Sequence, residues 1–180
     1  MDNLSAQRLR PLGRDVVRGD NRIVLDYWQS LRVGDSLPSR ADFCPSHIRQ
    51  LLSKLMIVQV WPGERVVCRL AGTKIVRVVG KDLTGCDIIA NTAPEFQHER
   101  LSRYMNSLGG FVHRSERTMP GASGEAIHAE MLVLPFADFR EDGSRLVFLA
   151  ADWSTVEDDD KLKSVASAFV APEISEYLAI

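Results

Sequence analysis

The side chains in this sequence with the means to do chemistry are few and widely separated. His128 and Glu130 stand two residues apart in AIHAEMLVLPF, so on a strand they share one face with Leu132, Leu134 and Phe136. Such a pair can orient a ligand or a proton, and the same face reads equally as a partly wet outer one. His98 lies between Phe96 and Leu101, off the apolar stripe of its helix, where a surface polar residue fits. His47 and His113 read as solvated, and no His-x-x-x-His or carboxylate spacing supports a metal. Cys68 alternates with Val66 and Leu70, the pattern of a small core residue. Arg40, Arg69 and Arg77 can each fork onto an anion, although a solvated or ion-paired arginine is the plainer reading of each. Trp28, Trp61 and Trp153 read first as packing anchors, and a Trp inside a cavity can stack on a ligand ring. Neither a G-x-S-x-G elbow nor a phosphate-cradling glycine pattern occurs, so no enzyme is expected.

The elements that must position these residues follow from composition and period. A chain of 180 residues suits one domain with modest extensions, and 45% hydrophobic with 26% charged residues is ordinary for a globular protein. A net charge of −2 gives no electrostatic footprint for nucleic acid or an anionic membrane. No apolar run approaches the ~20 residues that span a bilayer. The three cysteines form no C-x-x-C pair, which fits a reduced cytoplasmic setting rather than a disulfide framework.

Residues 1–19 read as a flexible arm, 20–156 as the domain and 157–180 as an acidic linker and tail. A first helix is expected at about 21–33, with Val24, Tyr27, Trp28 and Leu31 on one side, Asp20 as its cap and Gly34 at its end. A second, starting at Pro45, carries the stripe Ile48, Leu51, Leu52, Leu55 and Met56. The period then changes to that of a hairpin, 57–61 and 65–71. Short helical turns follow in TKIVRVVGKDLTGCDI. A longer helix comes after a Thr92/Glu95 capping box, with Leu101, Tyr104, Met105 and Leu108 buried. Three strands, 111–119, 126–136 and 145–153, complete a mostly antiparallel sheet, the first with one wet face and the last central. An amphipathic segment is expected around Leu162, Val165, Ala166 and Phe169.

YWQSLR, LPSRADF, CPSHIRQLL, CRLAGTKI, GKDLTGCDI and LPFADF…GSRLVFLAA, taken in that order, carry a resemblance. The chain resembles small bacterial PAS-domain proteins, a family found mostly in alphaproteobacteria. Cys44 departs from it, where an acidic residue before Pro45 is expected. The resemblance implies an α+β fold: a five-stranded antiparallel sheet, short helices walling a cavity, and an N-terminal flanking helix. It implies a stand-alone sensory or regulatory domain without catalytic output, binding a small ligand or a signalling protein partner. The cofactor stays unknown. The expected pocket residues are Val66, Cys68, Leu70, Ile75, Phe96, Leu101, Met131 and His128. His98 occupies the helix that supplies the iron ligand in haem-binding PAS domains. The sequence that light-sensing PAS domains carry around their adduct-forming thiol is absent. A homodimer is expected, with Val24, Tyr27, Trp28 and Leu31 as interface candidates. Two rivals stand beside this reading. One is an interaction scaffold with a filled core. The other is a cone-shaped α+β isomerase or dehydratase, which requires His128, Glu130 or Asp152 to face an apolar pocket.

Overall fold

The computed structural model describes residues 8–11, 16–120, 126–153 and 174–179. The β-hairpin of β2 (Leu55–Trp61) and β3 (Arg65–Ala71) falls where strand alternation places it, and α2 (Thr73–Val79) and α3 (Pro94–Leu108) follow. The meander is β4 (Val112–Pro120), β5 (Ala126–Phe139) and β6 (Arg145–Trp153). These five strands pair antiparallel in the order β4-β5-β6-β2-β3, the expected α+β sheet.

Two further strands lengthen it. β7 (Ile174–Ala179) lies antiparallel on β4, and β1 (Arg8–Pro11) runs parallel to β7. Both fall in stretches expected to be arm and tail. Leu178 and Tyr177 are 0% and 1% exposed, so this part of the tail is docked on its own sheet. The segment expected at 162–169 lies outside the described residues.

Alternation along the strands divides the core into two layers. On the outer face, Leu132, Leu134, Phe136 and Phe148 meet α1 (Gly19–Ser30) and the 3₁₀ stretch Pro45–Lys54. Phe43 packs edge-on against Phe148 at 4.4 Å. Trp28 is 1% exposed, and its indole Nε1 donates to the Pro135 carbonyl at 3.0 Å. Val24 and Trp28 are thus buried in their own domain, with Tyr27 and Leu31 packed at the margin. This corrects the interface expectation for Val24 and Trp28, which already have a partner in their own sheet; Tyr27 and Leu31 keep part of their surface exposed.

Local details differ from the sequence reading. Residues 45–54 form 3₁₀ turns with a break at Ile48 (φ −128°, ψ 33°), not one α-helix. Asp20 does not cap α1. Its own backbone N–H donates to Asp152 Oδ2 at 2.9 Å, so the cap comes from β6. Lys54 Nζ holds both Asp152 and Asp20 at 2.6 Å, and Asn21 Nδ2 donates to the Glu130 carbonyl at 2.9 Å. No capping box starts α3. Thr92 Oγ1 donates to the Ile88 carbonyl at 2.7 Å instead.

The stretch 69–88 has two structural duties. Its helix α2 covers the inner face of the sheet, and its last residues shield an edge. Cys68 N–H donates to the Cys86 carbonyl and Ile88 N–H to the Val66 carbonyl, pairing backbone groups that β3 would otherwise present to solvent. Gly72 lets the chain leave β3 closely packed, because a Cβ there would lie 2.3 Å from the Ser53 carbonyl oxygen. Gly72→Ala is therefore expected to cost about 1–3 kcal/mol, read by urea unfolding. A change within error would mean that the 52–53 backbone yields freely.

A cavity edged by two arginines

On the inner face, Met56, Val58, Val66, Cys68 and Leu149 pack under α2, α3 and the 83–89 segment. The packing leaves a void of about 60 Å³. Ile75 and Val78 of α2, Leu83 beyond it, and Met131, Leu149 and Ala151 of the sheet form much of its wall, with Trp153 at one side. Arg100 of α3 and Arg117 of β4 supply its charge.

The sequence candidates divide on this geometry. Ile75 and Met131 line the void. Val66 and Cys68 are fully buried in the same layer, and Leu101 packs against it. Burial pushes the Cys68 thiol up to about 11, the environment of a core residue rather than of a nucleophile. Phe96 is half-buried on α3 and does not line the void.

Leu70 is a correction. The register slips between Ile57 and Val58, which pair with Leu70 and Cys68, so Arg69 is the extra residue of a bulge. The slip turns Leu70 to the other face, where it is 48% exposed. His128 is a second correction. It pairs with Thr118, its Nδ1 lies 3.0 Å from Thr118 Oγ1, and its parity puts it on the outer face with Leu132. His98 is exposed on α3, outside the void's lining, as its reading as a surface polar residue expected; the haem-ligand alternative finds no support there. A void of about 60 Å³ is also far below the ~300 Å³ at which pockets for larger ligands begin, so haem does not fit.

Sequence reasoning missed both arginines of the void. The notion of a wet face on 111–119 concealed Arg117, which is 7% exposed on the face of β4 against which α3 packs. Burial, with repulsion from Arg103 and Arg100 added, draws the Arg117 guanidinium down to about 10, still charged at neutral pH. Arg100 is lowered as well, again chiefly by burial, and its Nη1 donates to Thr92 Oγ1 at 2.9 Å. The signal was available in strand parity: Arg117 stands opposite Ala129 and shares a face with Ser115 and His113.

His113, expected to be solvated, is 1% exposed. Its Nε2 lies 2.9 Å from Ser175 Oγ and its ring packs 5.0 Å from that of Tyr177. Burial first, then the positive Arg103 and Arg117, hold the imidazole down to about 3. It is therefore neutral in the folded protein, whereas the unfolded chain takes up a proton below about 6.5. Stability from this group is fully present above pH 6.5 and declines as pH falls toward 3, by up to ~1.4 kcal/mol per pH unit. The His113→Gln variant should show a correspondingly flatter profile in urea unfolding at pH 7, 6 and 5. Parallel profiles would refute the neutral buried imidazole.

A second, open cleft of about 380 Å³ is lined by Arg18, Glu116, His128, Glu130 and Asp152 among others. Its acids are ion-paired: Glu130 with Arg114 at 2.7 Å and Asp152 with Lys54 at 2.6 Å. This is not the apolar pocket that an acid–base enzyme at His128, Glu130 or Asp152 needs. Among the described residues no group of His, Cys, Asp and Glu is arranged to hold a metal. Nor is any helix among them long and apolar enough to cross a membrane.

An antiparallel sheet of this strand order, with short helices closing one face over a small cavity, defines the class of PAS-like sensory folds. Residues 18–150 match the family model for the PAS domain, and the chain belongs to that family. No curated protein matches it. PAS domains generally serve as sensory and regulatory modules, the role to which this membership points.

Proposed function

We propose that this PAS domain senses a small molecule in the void between α2, α3 and the sheet, and passes the outcome to a signalling protein without catalysing a reaction. The observation that carries the reading is the pairing of an apolar void with two arginines supplied by different elements. Arg117 is 7% exposed and Arg100 partly buried, positions that an all-apolar core would leave to hydrocarbon side chains. The small volume favours one rival, a filled core serving an interaction scaffold.

Native mass spectrometry and an absorbance spectrum of protein freshly purified from its own host distinguish the two. A bound mass above that of the polypeptide is expected. A bare polypeptide mass, together with an Ala151→Leu variant that fills the void and leaves signalling intact, would favour the scaffold. PAS domains often pair, and we infer a homodimer here through a surface other than the apolar stripe of α1. Sedimentation across a dilution series checks this, and a monomer throughout removes the dimer from the reading.

A further inference from the structure

Two cysteines from different segments meet at the shielded edge of the sheet. The chain at 85–88 lies antiparallel against β3, with Val67 and Asp87 as the bridging pair. Cys68 N–H donates to the Cys86 carbonyl at 3.0 Å, and the Cys68 carbonyl accepts from Gly85 N–H at 2.8 Å, so Cys68 stands opposite Cys86. Parity puts both side chains on one face. Val66 and Ile88, each two residues from one of the cysteines, are joined by the Ile88 N–H to Val66 carbonyl bond at 2.7 Å, and both are buried in the inner layer. Cys68 is buried in that layer too, Cys86 is half-buried, and both carry free thiols.

We propose that Cys68 and Cys86 form a reversible, redox-sensing disulfide, made by a hydroperoxide and undone by a dithiol, that fastens the 83–88 segment to β3. The inference goes beyond the sensory reading of the void and does not depend on a ligand there.

The backbone already supplies the spacing. Residues that face each other across an antiparallel pair have Cα atoms ~4.5–5.5 Å apart, inside the ~4.4–6.8 Å that a disulfide spans. Closing the bond therefore asks for side-chain rotation rather than movement of the chain. The electrostatics agree on nearness. Burial is the main cause that raises the Cys68 thiol to about 11, and the neighbouring Asp82 and Cys86 push it the same way.

Exposure assigns the steps. Cys86 is the thiol that a peroxide can reach, whereas Cys68 is 0% exposed. The Cys86 thiolate attacks one oxygen of the peroxide, the O–O bond breaks, and Cys86 becomes a sulfenic acid while the other oxygen leaves as water or an alcohol. The Cys68 sulfur then attacks the Cys86 sulfur. The S–S bond forms, the S–O bond breaks, and the departing hydroxide leaves as water with the Cys68 proton. The two thiols give up two electrons, which the peroxide takes. A buried thiol is a slow nucleophile, but Cys68 is held beside its target, so the second step is intramolecular.

The bond has a structural reach. Cys86 N–H donates to the Leu83 carbonyl at 2.9 Å, and Leu83 is part of the wall of the void. A covalent tie at Cys86 holds both this wall and the shield over the β3 edge, which backbone hydrogen bonds alone hold in the dithiol form.

The test uses the full chain with Cys44→Ser, which removes the exposed third thiol. Native protein is treated with hydrogen peroxide and then with dithiothreitol. The intact mass should fall by two hydrogens, free thiols should vanish, and both should recover on reduction. Hydrogen exchange at 85–88 should slow by at least about tenfold in the oxidised form. Cys68→Ala should stop the reaction at a Cys86 sulfenic acid that dimedone captures. Because Cys68 is buried and its loss can loosen the core, Cys86→Ser at the half-buried position is measured in parallel, and there Cys68 should survive peroxide unchanged. A link that forms only in urea would mean that the thiols are not opposed in the fold, and the proposal fails. Oxygen added without a link, or two thiols that outlast the peroxide, overturns it as well. A native link that leaves exchange at 85–88 unchanged removes the fastening role.

Discussion

Trp28→Ala should lower the unfolding free energy by about 3–5 kcal/mol, as expected for removing a buried tryptophan. Trp28 is 1% exposed at the centre of the outer layer, beside Phe136 and Phe148, and it is anchored by its indole hydrogen bond to the Pro135 carbonyl. Alanine leaves a cavity there and an unmet carbonyl, and α1 loses the side chain that fixes it to β5. Urea unfolding by far-UV circular dichroism gives the magnitude, and hydrogen exchange in 19–30 gives the location. Trp28→Phe keeps most of the volume but not the donor, so it should cost much less than alanine. A loss below about 1 kcal/mol would mean that α1 is a detachable flank with its apolar stripe free for a second copy of the chain, as the homodimer expectation requires. The structure argues the opposite.

Arg114→Met carries a comparable penalty, about 3–5 kcal/mol, by a different route. Arg114 is 5% exposed and binds three carboxylates: Glu130 through Nε and Nη2 at 2.7 Å, Glu176 through Nη1 at 2.7 Å, and Glu116 in close contact. Glu176, on β7, is 3% exposed. Methionine fills the space but removes the cation those acids share, so their mutual repulsion falls on the β4–β7 pairing. Faster hydrogen exchange should appear first at 174–178. Adding Glu176→Gln to Arg114→Met should restore at least 1 kcal/mol, since the most buried of the three charges is then gone. If the double variant is no more stable than the single, packing rather than charge is the role of Arg114.

The strands were the most legible part of the chain, because a change of period from 3.6 to 2 was read at residue 57, two residues after β2 begins, and a turn marks each hairpin. α3 and α2 were legible for the same local reasons. What escaped the sequence lies in pairings between distant residues. The cap of α1 is Asp152, 132 residues away, so Asp20 was the only acid a local reading could nominate. β1 and β7 are strands of four and six residues whose partner for each other stands at the far end of the chain. The helix expected from Pro45 has the right apolar stripe, but Ile48 departs from helical backbone angles and the stretch tightens to 3₁₀.

The site was legible to the level of which strands and helices enclose it, and no further. A single bulged residue, Arg69, reversed the face of Leu70, and simple alternation cannot foresee such a slip. His128 and Met131 were both nominated for the cavity although three residues apart on one strand, which places them on opposite faces. Arg117 was hidden because polar residues on a strand suggest solvent, whereas here that face of β4 is covered by α3.

The end of β6 has a mechanical consequence. Ala151 and Trp153 border the void on one side of the sheet, and Asp152 between them holds the first turn of α1 and Lys54 on the other. Neighbouring residues of a strand stand only ~3.4 Å apart along its axis, so the wall of the cavity and the latch of the helix are two sides of one short backbone segment. On the proposed reading, a guest that pushed on this wall would act on the latch directly, with no chain of intervening side chains to relay it. Gly19 leaves the latch little play, since a Cβ there would meet Asp152 Oδ2 at 2.1 Å. On the proposed sensory reading, a message from cavity to helix would have to travel only the thickness of the sheet.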